Sequence, residues 1–131
     1  MIGIVIVAHS AKLAEGVKEM ADQMAKGLVP IAAAGGVDDH TLGTNADRIY
    51  EAIQQVYQDE GVLVLFDLGS ALFSTQIALE RLDPERQARV LLSEAPLVEG
   101  AIVAAVEASL GHDLATVNAA AVAAKDMQKI L

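Results

Sequence analysis

The 131-residue chain contains no cysteine, which excludes a disulfide framework and a thiolate metal site. It has no tryptophan, and only two tyrosines and two phenylalanines, so its core has to be packed from aliphatic side chains and alanine. Positive charge is scarce: nine Lys and Arg stand against eighteen Asp and Glu, a formal charge of −9. Such a surface repels phosphodiester backbones and anionic lipid, and it suits a partner with a basic face. No stretch approaches the roughly 18 apolar residues that a membrane span requires. The N-terminal apolar run is too short for a signal peptide and has no positive flank before it. These absences lead to the expectation of a cytoplasmic protein that binds neither nucleic acid nor membrane. With 53% of its residues hydrophobic, the chain is long enough to bury one core, and residues 1–131 read as a single domain.

The segment Ile2 to Ala8 is apolar at nearly every position, without alternation. A strand covered on both faces reads this way, and parallel sheets are built from such strands. Ser10 then caps a helical pattern in which Leu13, Val17, Met20 and Met24 mark the buried stripe, and Gly27 ends it. Leu28 to Ala34 is a second apolar run, placed at a sheet edge by Pro30. After a loop carrying Asp38, Asp39 and His40, Thr44 opens a helix with Asp47 in a capping arrangement and Ala46, Ile49, Ile53 and Val56 inward. Gly61 to Phe66 is a third strand, followed by a helix through Phe73, Ile77 and Leu82 that stops before Pro84. Val90 to Ser93 is a fourth strand. Pro96 begins a helix over Leu97 to Leu110, closed by Gly111, and Asp113 caps a last, alanine-rich one. Alternating strands and helices predict an α/β fold: an open, parallel, four-stranded sheet with helices on both faces and right-handed crossovers.

Two strand ends carry polar residues that packing alone does not explain. His9 ends the first strand, and Asp67 ends the third, just before Gly69 and Ser70 at a helix start. Strand order 2-1-3-4 places a crevice between those ends and gathers His9, Ser10, Asp67, Gly69 and Ser70 there. A carboxylate can hold one imidazole nitrogen as N–H so that the other presents a lone pair. Gly69 lets backbone approach a ligand, while the N–H groups of the next helix turn and the Ser10 and Ser70 hydroxyls favour an anion. A nucleophilic nitrogen beside an anion cradle describes a histidine that accepts a phosphoryl group and passes it on. The structural alternatives are a hydrogen-bonded histidine at a strand end and an Asp67 that merely caps its helix. A second reading is a receiver-type signalling domain phosphorylated on Asp67, but it lacks the acidic pair after strand one. A third is a non-catalytic regulator that binds partners at the sheet mouth. His40 and His112 read as surface residues, and three dispersed histidines make no metal site.

Four stretches carry a resemblance in order along the chain: Val5-Ile6-Val7-Ala8-His9-Ser10, Gly36-Val37-Asp38-Asp39 with Gly43-Thr44, Leu65 to Leu72, and Ala95 to Gly100. Together they resemble the phosphocarrier subunits of bacterial phosphotransferase-dependent dihydroxyacetone kinases, which are related to mannose-type IIA domains. The resemblance implies that His9 is the phosphorylated residue and Asp67 its carboxylate partner. It implies a donor, the phosphocarrier HPr charged by enzyme I, and an acceptor, ADP held on the nucleotide-binding subunit DhaL. The ATP so formed would phosphorylate dihydroxyacetone on a third subunit, DhaK. Magnesium and nucleotide (ADP or ATP) then belong to the partner, and this chain carries no cofactor of its own. A homodimer is implied as well. Some relatives continue into fused domains resembling HPr and enzyme I; a chain ending at Leu131 leads one to expect a separate donor. The same ending speaks against dimerisation through the exchanged extra strand of mannose-type relatives. For partner contacts, the rim around Leu68 and Leu72 and the Asp38-Asp39 loop are expected to matter.

Overall fold

Strand β1 (Gly3–Ala8) is buried at all six positions, and the reason lies in its two neighbours and two covering layers. In the computed structural model, which describes residues 1–131, it pairs in parallel with β2 (Ile31–Gly35) on one side and β3 (Val62–Phe66) on the other. A short β4 (Val90–Leu92) completes a sheet of order β2-β1-β3-β4. Successive side chains of a strand point to opposite faces. Ile4, Ile6 and Ala8 of β1 therefore join Leu63 and Leu65 in one core, while Val5 and Val7 join Val62 and Val64 in the other. Each such fully buried aliphatic side chain stabilises the fold by about 1.5–3 kcal/mol.

Helices α1 (Ala11–Met24), α5 (Leu97–Ser109) and α6 (Leu114–Ala123) cover the first core. Helices α2 (Ala46–Val56) and α3 (Ala71–Glu80) cover the second. One four-residue helix, α4 (Pro84–Gln87), capped by Asp83, was not expected from the sequence. A single 3₁₀ turn, Ala124–Asp126, follows α6.

The caps at Ser10 and Asp113 are as the sequence predicts, and Pro30 does lie beside an edge strand, one residue before its start. Three expectations are corrected. Strand β2 begins at Ile31, with Leu28 exposed in the turn before it. Helix α2 is capped by Asn45, whose Oδ1 accepts the N–H groups of Asp47 and Arg48, because the Thr44 hydroxyl is engaged elsewhere; Ala46 is only half-buried. The third concerns which helix faces are inward. Leu13, Met20 and Met24 are exposed, and α1 buries Ala14, Val17 and Ala21 instead. Phe73 and Ile77 are likewise exposed, while α3 buries Ala71, Thr75 and Ala78.

For α1 the physical reason is close approach. A Cβ built on Gly35 of β2 would lie 2.3 Å from the Ser10 carbonyl oxygen and 2.7 Å from the Ala14 Cβ, so α1 sits on the sheet at a distance only small residues allow. Replacing Gly35 by Ala is expected to destabilise the chain by about 1–3 kcal/mol through that overlap. Gly16, in α1 with nothing near its missing Cβ, supplies the contrast: Gly16→Ala is expected to stabilise by about 0.5–1 kcal/mol. Urea unfolding of the two variants checks both signs, and equal effects would contradict this packing.

Candidate functional site

Parallel pairing in the register Val7↔Phe66 brings the carboxyl ends of β1 and β3 level. The residues just beyond them, His9 and Asp67, therefore meet. Asp67 Oδ1 lies 2.9 Å and Oδ2 3.1 Å from His9 Nδ1. The same carboxylate accepts the backbone N–H of His9 at 2.9 Å and that of Leu68 at 2.7 Å. Both side chains are mostly covered, His9 to 28% exposure and Asp67 to 11%. A carboxylate only accepts, so Nδ1 carries the ring proton and Nε2 presents the lone pair. The Ser70 hydroxyl, 2.8 Å from Nε2, donates to it.

Helix α3 starts at Ser70 without a side-chain cap, because the hydroxyl that would serve as one is turned to His9. The N–H groups of Gly69 and Ser70 donate to no other group of the chain. Helix α1 starts directly after His9 and Ser10. The positive ends of two helix dipoles thus border one imidazole, a setting that favours negative charge at Nε2. The arrangement is a fixed tautomer with a nucleophilic nitrogen beside unpaired N–H donors.

A sequence family described as EIIA-man, the PTS system fructose IIA component, matches residues 3–118. A phosphoryl donor subunit DhaM of the PEP-dependent dihydroxyacetone kinase of Pantoea ananatis is 48% identical over 120 residues, 89% of this chain. The DhaM of kinase 2 in Listeria innocua is 44% identical over 107 residues, 82% of this chain and 86% of that protein. The chain belongs to the EIIA-man family, alongside the DhaM subunits. It spans a quarter of the length of the Pantoea relative. A crystal structure of a protein of unknown function superposes over the whole of both chains with a TM-score of 0.84 at 32% identity.

Within this EIIA-man fold, the structure joins His9, Asp67 and Ser70 directly. Ser10 stands beside them, but its hydroxyl caps α1 by accepting the Leu13 N–H at 3.2 Å. A Cβ on Gly69 would meet nothing within 4 Å, so that turn leaves open space. Leu68 and Leu72 are exposed, and they line a cleft of about 440 Å³ with Phe66, Ser93, Pro96 and Leu97. Asp39 is exposed and pairs with Arg48 at 3.0 Å. His40 is exposed, and no three His, Asp or Glu side chains group as metal ligands.

Sequence reasoning missed two groups. Ser93, just past the end of β4, is a buried polar residue whose Oγ accepts the Ala95 N–H; the rule that singled out His9 and Asp67 also covers it. Apart from its place in the family resemblance, the segment Gly43-Thr44 reads as a loop and helix start, yet the Gly43 N–H reaches the His9 carbonyl at 2.8 Å.

In the loop on that side, the Asp38 carboxyl is held below its ordinary value, first by the N–H of His40 and next by the Thr41 hydroxyl. A depressed value means that this turn is stabilised above the ordinary carboxylate range and loses that support as pH falls through the lowered one. Carboxyl NMR titration is expected to give Asp38 a midpoint below 3.8; a midpoint at or above it contradicts the bonded turn.

Proposed function

We propose that this chain is a phosphocarrier that receives a phosphoryl group on Nε2 of His9 and delivers it to a nucleotide held by a partner subunit. The observation that carries the reading is the division of labour on one ring. Nδ1 is gripped by Asp67 at 2.9 Å, while Nε2 meets only the Ser70 hydroxyl at 2.8 Å. The Nε2 lone pair attacks phosphorus on the donor, phospho-HPr. A new N–P bond forms as the donor's N–P bond breaks, and the donor imidazole leaves with that electron pair. The ring of His9 is then cationic for as long as Nδ1 keeps its proton, and the Asp67 carboxylate balances it. In the second transfer a terminal phosphate oxygen of ADP on DhaL attacks phosphorus. The electron pair returns to Nε2, and ATP is formed for dihydroxyacetone phosphorylation on DhaK.

Other residues take supporting parts. The Ser70 hydroxyl turns from Nε2 to a phosphoryl oxygen, joined by the N–H groups of Gly69 and Ser70 and by Ser10. Leu68 and Leu72 offer an apolar rim to the docking proteins, and Asp38 and Asp39 meet their basic side chains. Magnesium and nucleotide are assigned to the partner. Residues 1–131 then act as one phosphocarrier domain, as a homodimer, in the cytoplasm. The receiver-type alternative is disfavoured because an acyl phosphate on Asp67 would break the bonds that its carboxylate makes to three N–H groups.

Incubation with phosphoenolpyruvate, enzyme I and HPr is expected to place an acid-labile, base-stable phosphate on the chain. Adding ADP-loaded DhaL is expected to remove it. His9→Ala should take no label, and Asp67→Asn should be labelled slower by roughly a hundredfold or more, because the tautomer is no longer fixed. Labelling that persists in His9→Ala would falsify the assignment.

A further inference from the structure

We propose that Thr44 and Ser74 are positioning residues, a hydroxyl strut that sets the gap between His9 and the start of α3. The inference rests on reading His9 as the phosphoacceptor and adds two residues to its machinery. The hydroxyls of Thr44 and Ser74 share a hydrogen bond at 2.7 Å and are partly buried. Ser74 stands one helical turn after Ser70, so the two lie on the same face of α3. Ser70 is the residue that bonds Nε2. At the other end, Thr44 follows Gly43, whose N–H holds the His9 carbonyl at 2.8 Å.

These links close a ring: His9 carbonyl to Gly43, along the chain to Thr44, across to Ser74, back one turn to Ser70, and from its hydroxyl to Nε2 of the same histidine. On its α3 side the ring runs along a helix seated on the second core through Ala71 and Ala78, so the hydroxyl bond adjusts a helix already in place. Ser70 spends its hydroxyl on His9 and leaves the helix without a side-chain cap. Thr44 is equally unusual. It sits directly before Asn45, which caps α2 and also donates from Nδ2 to the Val37 carbonyl at 2.9 Å. Three successive residues therefore tie to three different places, and Thr44 is the one that reaches α3.

A single hydrogen bond between half-buried hydroxyls contributes modestly to stability, so its loss leaves the fold standing. Its effect on transfer is larger in proportion, because the reacting nitrogen and the groups around the incoming phosphoryl must be held to within a fraction of an ångström. A strut one turn behind Ser70 fixes that spacing without touching the ring.

The test uses the full chain with Thr44→Val, which keeps the side-chain shape, with Ser74→Ala, and with Thr44→Ser, which restores the hydroxyl. Two quantities are read: the ¹⁵N resonance of His9 Nε2, and the single-turnover labelling rate from phospho-HPr. Thr44→Val and Ser74→Ala are each expected to shift the Nε2 resonance and to slow labelling roughly tenfold, with apparent affinity for the donor unchanged. Melting should change by only a few degrees, Thr44→Ser should match the parent, and the double variant should be no slower than either single one. An unmoved Nε2 resonance, labelling within about twofold of the parent, or a loss that Thr44→Ser does not rescue overturns the strut. If the parent chain takes no label at all, the phosphocarrier reading fails, and the resonance still decides whether the strut sets the geometry.

Discussion

Asp67 receives three N–H groups at once: the main chain of His9, the ring of His9 and the main chain of Leu68. The first two tie the backbone and side chain of one residue to the same carboxylate, leaving the imidazole little freedom to turn. That grip is possible only because β1 and β3 are parallel neighbours, so that their ends arrive at the same level. Adjacent parallel strands in turn require crossover helices. The helices that leave from the ends of β1 and β3 belong to opposite layers, α1 over one core and α3 over the other. The crevice is the space this divergence opens. Ring orientation, the open Nε2 and the two helix starts beside it all follow from one carboxylate set at one register.

Much of this was legible in the chain. Continuous apolar runs gave the strands, and their polar terminators His9 and Asp67 gave the site, because a buried strand has no packing use for either residue at its end. Bringing those two ends together requires β1 and β3 to be neighbours, as in the order 2-1-3-4. Less legible were the helix faces. Reading Leu13, Met20 and Met24 as the stripe of α1 follows the largest apolar side chains, yet the buried residues are Ala14, Val17 and Ala21. The same happened in α3, where Phe73 is 72% exposed and Ala71 and Ala78 are buried. The edge strand β2, rich in alanine and glycine, draws α1 in close, and a close helix presents small residues; α3 instead packs beside α2. Periodicity alone cannot tell that face from a second apolar one at the same spacing.

Long-range hydrogen bonds were beyond the sequence for a different reason. Nothing local distinguishes Thr44 as a helix cap from Thr44 as a link to α3; Asn45, one residue on, competes for the same role and wins it. Ser70 shows the converse. Its place at a helix start suggests an anion contact, and in the structure its hydroxyl leaves the helix uncapped to serve His9. In both cases a local preference yields to a partner from a distant segment, and these substitutions cluster around the imidazole. Sites that relinquish a local bond in this way are where function is expected to lie.

A phosphocarrier role for His9 turns on which ring nitrogen is free to react. Long-range ¹H–¹⁵N and ³¹P NMR of the chain after phosphorylation by phospho-HPr distinguishes the two directly. Phosphorus coupled to Nε2, with Nδ1 still protonated and bonded to Asp67, is the expected outcome. Phosphorus on Nδ1 of His9 would contradict it, since that product requires the carboxylate to have let the ring go.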